Sequence, residues 1–388
     1  MSMDQVKLKY LCTSYSTPIT QDQINKNGQY KVYGASGLVG YLPNEGCKTT
    51  YLGIVKDGAG VGRINAYEAG SYLLGTMAYI IPNSGVNIKW LKYAIMSLDL
   101  GKSISKTTIP HIYFSEYSNR KVGWSSLDTQ ARIADFLDYK CDEIDSVIAI
   151  TQKTIEEYKA LKQSIITEVV TKGIRGDRPM KDSGIEWIGD IPAEWDVVRI
   201  KNLFDYRNER NFKPLEEVNL ISLYTDKGVV QHCDLDETTG NKASNADGYK
   251  LVYENDIVVN IILCWMGAIG RSAYFGVTSP AYDVYSPKQK TNSKFYHYLF
   301  RTNGFSGDCY KVGRGIMAMR WRTYSDQFRA IKVVSPPQSE QEEIVEYLDE
   351  KCEGIDDLIA KKQQYLIEIE NYKKSLIYEY VTGKKEVV

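Results

Sequence analysis

The stretch Gln130-Ala-Arg-Ile-Ala-Asp-Phe-Leu-Asp-Tyr-Lys-Cys-Asp-Glu-Ile-Asp145 returns 211 residues later as Gln341-Glu-Glu-Ile-Val-Glu-Tyr-Leu-Asp-Glu-Lys-Cys-Glu-Gly-Ile-Asp356. Aligned without gaps, residues 130–173 and 341–384 are identical at 18 of 44 positions. Repetition on that scale sets the architecture. Each copy carries a heptad with two apolar registers. In the first they are Leu137, Ile144, Thr151, Tyr158, Ile165 and Cys141, Ile148, Ile155, Lys162, Val169. In the second they are Leu348, Ile355, Lys362, Ile369, Leu376 and Cys352, Ile359, Leu366, Lys373, Tyr380. Apolar side chains every 3.5 residues make a seam that a partner helix must cover. The polar interruptions fall at equivalent places, Thr151 with Lys362 and Lys162 with Lys373, which fixes register. The two helices are therefore expected to pair with each other. Ser339 with Glu342 predicts a capping box, and Gly173, Gly176 and Gly383 predict the stops.

Outward from the helices lie two segments of another texture, residues 1–129 and 195–340, rich in Tyr, Val, Ile and Gly. Runs such as Gly75-Thr-Met-Ala-Tyr-Ile-Ile81 and Asp256-Ile-Val-Val-Asn-Ile-Ile-Leu263 predict short strands with a few helices, hence an α+β class. The apolar stretch from Ile257 to Gly270, broken by Asn260 and Gly267, is too short for a membrane span and reads as one or two buried strands. The segments echo each other: Val6-Lys-Leu-Lys-Tyr-Leu11 resembles Val198-Arg-Ile-Lys-Asn-Leu203, and Gly62-Arg63 resembles Gly270-Arg271. Residues 174–194, with Gly176, Pro179, Gly184, Gly189 and Pro192, form a linker. The expected plan is domain 1–129, helix 130–173, linker 174–194, domain 195–340, helix 341–384. Antiparallel helices would set the two domains at opposite ends of the pair, related by a pseudo-two-fold axis. Modules at fixed separation suit a DNA duplex, where half-site spacing is geometric.

Charge is segregated. The chain holds 48 Lys+Arg against 49 Asp+Glu, a net of −1. The helices carry −2 and −5, which leaves +6 on everything else. Lys288 to Lys332 is +8 and Lys89 to Lys121 is +4. An anionic partner for the globular domains follows. Within these windows Lys311, Arg314, Arg320, Trp321 and Arg322 combine arginine forks, which match guanine O6/N7 or phosphate, with an indole. Lys102, Ser105, Lys106, Thr107, Thr108 and His111 offer hydroxyls and cations at the equivalent place, and Arg63 and Arg271 complete the candidate set. Trp321 reads almost as well as a core anchor.

Little in the chain supports catalysis. Leu100-Gly-Lys-Ser103 ends like a P-loop, but Met96 stands where the earlier glycine is required. Gly58-Ala-Gly-Val-Gly62 reads as a tight turn between strands. In Ser335-Pro-Pro-Gln338 a glutamine replaces the aromatic of an amino-methyltransferase motif, so this segment reads as structural. The seven cysteines are scattered without a C-x-x-C pair, and only three histidines exist. Neither a zinc site nor a disulfide framework is expected, and a reducing cytoplasm fits best. The first residues show no apolar signal core.

The pattern Pro336-Pro337-x-x-Glu340-Gln341-x-x-Ile344-x-x-x-Leu348-Asp349, continuing to Ile355-Asp356 and ending Ser375-Leu-Ile377…Val381-Thr-Gly-Lys384, resembles the conserved helical region of type I restriction-modification specificity subunits. The linker Met180-Lys-Asp-Ser-Gly-Ile-Glu-Trp-Ile-Gly-Asp-Ile-Pro192-x-x-Trp195 is similar to that family's as well. The resemblance implies two target-recognition domains at opposite ends of a pair of long antiparallel coiled-coil helices. It implies a non-catalytic subunit that reads a bipartite site in double-stranded DNA, with two methyltransferase subunits docked on the helices. It also implies a motor-nuclease subunit joined to such a complex. S-adenosylmethionine and ATP with Mg²⁺ belong to those partners, and this chain is expected to hold no cofactor or metal. One departure is plain: Trp124-Ser-Ser-Leu-Asp-Thr-Gln130, before the first helix, lacks the double proline and the Glu. A coiled-coil scaffold with protein-binding domains is the competing reading, and the +6 outside the helices opposes it. A fused restriction and modification enzyme is a third, opposed by the missing cofactor motifs.

Overall fold

Heptad sequence becomes two long helices, Leu127–Lys172 of 46 residues and Gln338–Val381 of 44. At about 1.5 Å per residue each is close to 65–70 Å long. The computed structural model describes residues 3–98, 100–103, 110–232, 245–315 and 321–387, the side chains of Lys102 and Ser103 excepted. The chain divides into two units, Met1–Thr154 with Lys361–Val388, and Ile155–Ala360, and each long helix contributes one part to each unit.

All twenty seam positions are buried or half-buried. The lysines that interrupt the seam show how register is set. In the first unit Lys373 Nζ lies 2.6 Å from Asp145, and in the second Lys162 Nζ lies 2.5 Å from Asp356. Both lysines are repeat mates, as are both aspartates. Within the second unit Arg175 also reaches Glu343 at 2.7 Å, and within the first Phe136 packs on Tyr380 with ring centroids 4.5 Å apart. Partner numbers rise on one helix as they fall on the other, so the strands of the pair run antiparallel in each unit. Thr151 is buried and returns its hydroxyl to Val147 O at 2.8 Å, which satisfies a polar seam residue without a cross-helix partner.

The helix ends differ from expectation in detail. The second long helix begins at Gln338, so Ser339 lies inside its first turn and no capping box forms. Pro337 instead offers its carbonyl to the amides of Glu340 and Gln341, both at 3.0 Å. The first helix starts without prolines because Ser126 caps it: Ser126 Oγ accepts from Thr129 N at 3.3 Å, and Ser126 O from Gln130 N at 2.9 Å. Gly173 (φ +75°) and Gly383 (φ +72°) take the left-handed conformation that ends each helix, whereas Gly176 does not.

Outside the helices both units share the strand order of their four-stranded sheet. In the first, a four-stranded antiparallel sheet orders Cys12–Ser16, Met77–Pro82, Tyr51–Val55 and Ile64–Tyr67. In the second, the order is Phe204–Arg207, Tyr282–Pro287, Ile257–Asn260 and Ile269–Arg271. The long apolar stretch is thus two buried strands joined by a short 3-10 turn at Cys264–Met266. The expected echo between Val6–Leu11 and Val198–Leu203 is structural: Asp4–Lys7 pairs with Lys121–Trp124, and Asp196–Arg199 with Lys332–Ser335. The echo of Gly62-Arg63 with Gly270-Arg271 is not. Strand register pairs Ile54 with Ile64 and Val259 with Ile269, so Gly62 corresponds to Gly267, and both have φ +87°. Arg63 and Arg271 therefore occupy different places.

The same side chains seat each domain on its helix. Gln130 Oε1 accepts from Asn87 N at 2.9 Å, and Gln341 Oε1 from Asn292 N at 2.9 Å. Their amide nitrogens donate to Ser125 O and Pro336 O, each at 2.8 Å. Asn87 and Asn292 then cap the docking helices Ile88–Met96 and Ser293–Phe300. From those helices Tyr93 and Tyr298 donate to Asp138 and Asp349, both at 2.7 Å, and Lys89 and Lys294 pair with the same two aspartates. Trp90, Phe295, Leu137 and Leu348, all fully buried, fill the apolar centre of these joints.

The second unit has one further clasp. Arg178 of the linker pairs with Glu340 at 2.6 Å, both side chains almost wholly buried, and lies over the Trp195 ring. Trp195 Nε1 donates to Glu340 Oε2 at 2.8 Å. Trp187 packs on Gly304 and donates to Asp308 at 2.6 Å. The linker is therefore folded onto the second domain. This gives Glu340 its role; Thr129 stands at the equivalent position of the first helix.

Candidate nucleic-acid interface

In the first unit the glycine-rich stretch forms the turn between Tyr51–Val55 and Ile64–Tyr67, and Arg63 follows it, exposed. Its Nε donates to Gly60 O at 3.4 Å, and Gly60 has no side chain where the guanidinium lies. This turn meets the segment of His111: Gly58 N donates to Pro110 O, and Ile112 N to Lys56 O, both at 2.9 Å. The His111 ring is half-buried 5.2 Å from that of Tyr113. Arg63 and Gly101 line one cleft, whose apolar wall includes Ile95, Met96 and Leu100. Lys102 sits in the one-turn 3-10 helix Leu100–Ser103. Ser105, Lys106, Thr107 and Thr108 lie outside the described residues.

In the second unit three of the ten cations of the basic window pair with acids from outside it. Lys288 pairs with Asp205, Lys294 with Asp349 and Lys311 with Glu186, at 3.2, 2.5 and 3.1 Å. Arg301 is spent on the carbonyls of Thr225, Asp226, Gly267 and Ile269. Arg271 is held by Asn255 at 2.8 Å and Glu254 at 3.8 Å. Arg320 lies outside the described residues. Lys290 and Lys332 are exposed and Arg329 is half-buried. Arg314 and Arg322 face each other across an isolated antiparallel bridge, with backbone N–H···O bonds of 2.8 and 2.9 Å in the two directions. Both are exposed, and among the described residues neither guanidinium has a partner. Trp321 takes a middle course between contact residue and core anchor: it is half-buried, stacks on Tyr310 at 5.0 Å and donates to Tyr310 O at 3.1 Å. Tyr310 in turn meets Trp265 at 5.7 Å. Tyr310, Trp265 and Glu186 gave no sequence signal, since their roles depend on contacts between distant segments.

His297 packs beside Arg271. Its Nδ1 accepts from Arg271 N at 3.1 Å, which requires the neutral ring. Burial first, then the cations Arg301, Arg271 and Lys294, push its pKa down to about 3. A depressed pKa means that the unfolded chain binds the extra proton. The second unit should therefore be fully stabilised by this group above about pH 6.5 and lose that contribution as pH falls toward about 3. Comparing urea midpoints of the parent and His297→Gln across that range checks it: the variant should show a flatter pH dependence, and identical slopes would refute the assignment.

Two units that share a central sheet order and are seated on paired helices by the same residue types define a duplicated architecture. Residues 192–371 match the Type I restriction modification DNA specificity domain. The type I restriction enzyme MjaVIII specificity subunit of Methanocaldococcus jannaschii is 26% identical over 317 residues, which cover 76% of this chain and 70% of that protein. The MjaX specificity subunit of the same organism is 27% identical over 300 residues, covering 74% and 62%. A chain of a solved structure concerned with complex assembly and conformational transition of the type I R-M system shares the fold at TM-score 0.69 and 12% identity, over 99% of this chain and 98% of that one. The chain is thus similar to type I restriction-modification specificity subunits, with the family model matching its second domain and most of its second long helix. Among its described residues no helix is long and apolar enough to cross a membrane.

Proposed function

We propose that this chain is the DNA-reading specificity subunit of a type I restriction-modification complex, with each domain reading one half of a bipartite site. The observation that carries the reading is the duplicated joint, in which Gln130 and Gln341 seat Asn87 and Asn292 by identical bonds. Such a joint lets recognition vary while attachment stays constant. The acidic long helices are the surface on which methyltransferase subunits dock, and motor-nuclease subunits join through the same assembly. S-adenosylmethionine, ATP and Mg²⁺ act in those partners, and this chain contributes recognition without chemistry of its own. Arg63, Lys102, Ser105, Lys106, Thr107, Thr108 and His111 in the first domain, and Arg271, Lys311, Arg314, Arg320, Trp321 and Arg322 in the second, are the candidate DNA-facing residues.

Exchanging residues 1–126, which precede the first long helix, for another recognition domain tests this directly. With the modification subunits supplied, methylome sequencing should show one half-site changed and the other retained. Loss of both halves, with assembly intact, would refute independent reading.

A further inference from the structure

The Arg314–Arg322 bridge singles itself out by its chemistry. Residues that exchange both hydrogen bonds stand about 5.5 Å apart at Cα and point side chains to one face. Like charges so placed repel and weaken the pair unless something outside the chain compensates them. Lys288, Lys294 and Lys311 of the window have carboxylate partners, whereas among the described residues these two guanidiniums, placed side by side, have none. The other face of the ribbon is fixed. Alternation turns Gly313 and Trp321 away from the arginines, the indole lies where Gly313 has no side chain, and the Trp321–Tyr310–Trp265 array ties it to the domain.

We infer that this ribbon reads guanine, so that the half-site of the second domain carries G·C base pairs where Arg314 and Arg322 reach. The inference rests on the DNA-reading function proposed above. In the major groove guanine alone presents O6 and N7 as paired acceptors for an arginine fork. Base pairs rise about 3.4 Å, so two forks that start about 5.5 Å apart meet guanines on adjacent or next-adjacent pairs. A rigid mount suits base-edge reading, which demands orientation that a phosphate contact does not.

The test uses Arg314→Ala and Arg322→Ala in the full chain, assembled with its modification subunits. Both residues are exposed, so the variants should melt like the parent. Each should bind the specific site about 5- to 150-fold more weakly and relax methylation at one base pair of one half-site. In the parent complex, 7-deazaguanine, which lacks N7, should produce a comparable loss at that base pair and add nothing to the matching variant. A uniform fall on specific and non-specific DNA, with the methylation motif unchanged, would make these phosphate contacts and overturn guanine reading alone. A half-site without G·C at any position sensitive to the two substitutions would overturn it equally. Absence of sequence-specific binding by the parent complex would instead remove the proposed function, and the inference with it.

Discussion

Placing a carboxylate on the helix seam by Leu348→Asp is expected to lower the stability of the second unit by about 4 kcal/mol or more. Leu348 is wholly buried within the cluster that also holds Trp195, Phe295 and Ile344. Truncation of such a leucine alone costs about 2–5 kcal/mol, and the new charge has no cation of its own beside it. The repeat mate Leu137, equally buried in the first unit's cluster, should respond in the same way when changed to Asp. Urea unfolding with a probe in each unit would register the two effects separately. Midpoints unchanged from the parent would show that the seam is not the apolar core described here.

Glu340→Ala should lower stability by about 3 kcal/mol. It strips a nearly buried Arg178 of its 2.6 Å partner and the Trp195 indole of its acceptor. Arg178 keeps Glu194 at 2.9 Å and the carbonyl of Lys172 at 2.8 Å, which bounds the loss. Glu340→Gln preserves an acceptor for Trp195 and should cost clearly less. Limited proteolysis near residues 174–194 provides a second readout, because the linker is clasped by this pair. A variant with parental stability and an equally protected linker would refute the clasp.

The long helices could be read from sequence because their physics is periodic: a 3.5-residue repeat of Leu, Ile and Cys has few other solutions. Register was legible only in part. The heptad placed Lys162 and Lys373 on the seam, yet nothing local to either lysine designates Asp356 or Asp145 as its partner. The joint between domain and helix escaped notice because its residues are spread over Asn87, Lys89 and Tyr93, a spacing that matches its second copy at an offset of 205 while the helices repeat at 211. Short strands obscure such offsets, and the likeness of Gly62-Arg63 to Gly270-Arg271 is one of sequence without structural correspondence. At the interface, composition located the basic window but could not tell compensated cations from free ones. Glu186, Asp205 and Asp349 come from remote segments, and folding alone removes Lys311, Lys288 and Lys294 from the free set.

The joint itself has a grammar. Both docking helices open on Asn-x-Lys and place Tyr six residues after the Asn, and both receiving helices answer with Gln and, eight residues on, Asp. A plug and a socket that are spelled alike do not record which position a module came from. A module cut from the first place would find in the second the same two amide bonds, the same phenol–carboxylate pair and the same ammonium. Order along the chain is then a free variable, and a new word can be written by transposing old letters without inventing any.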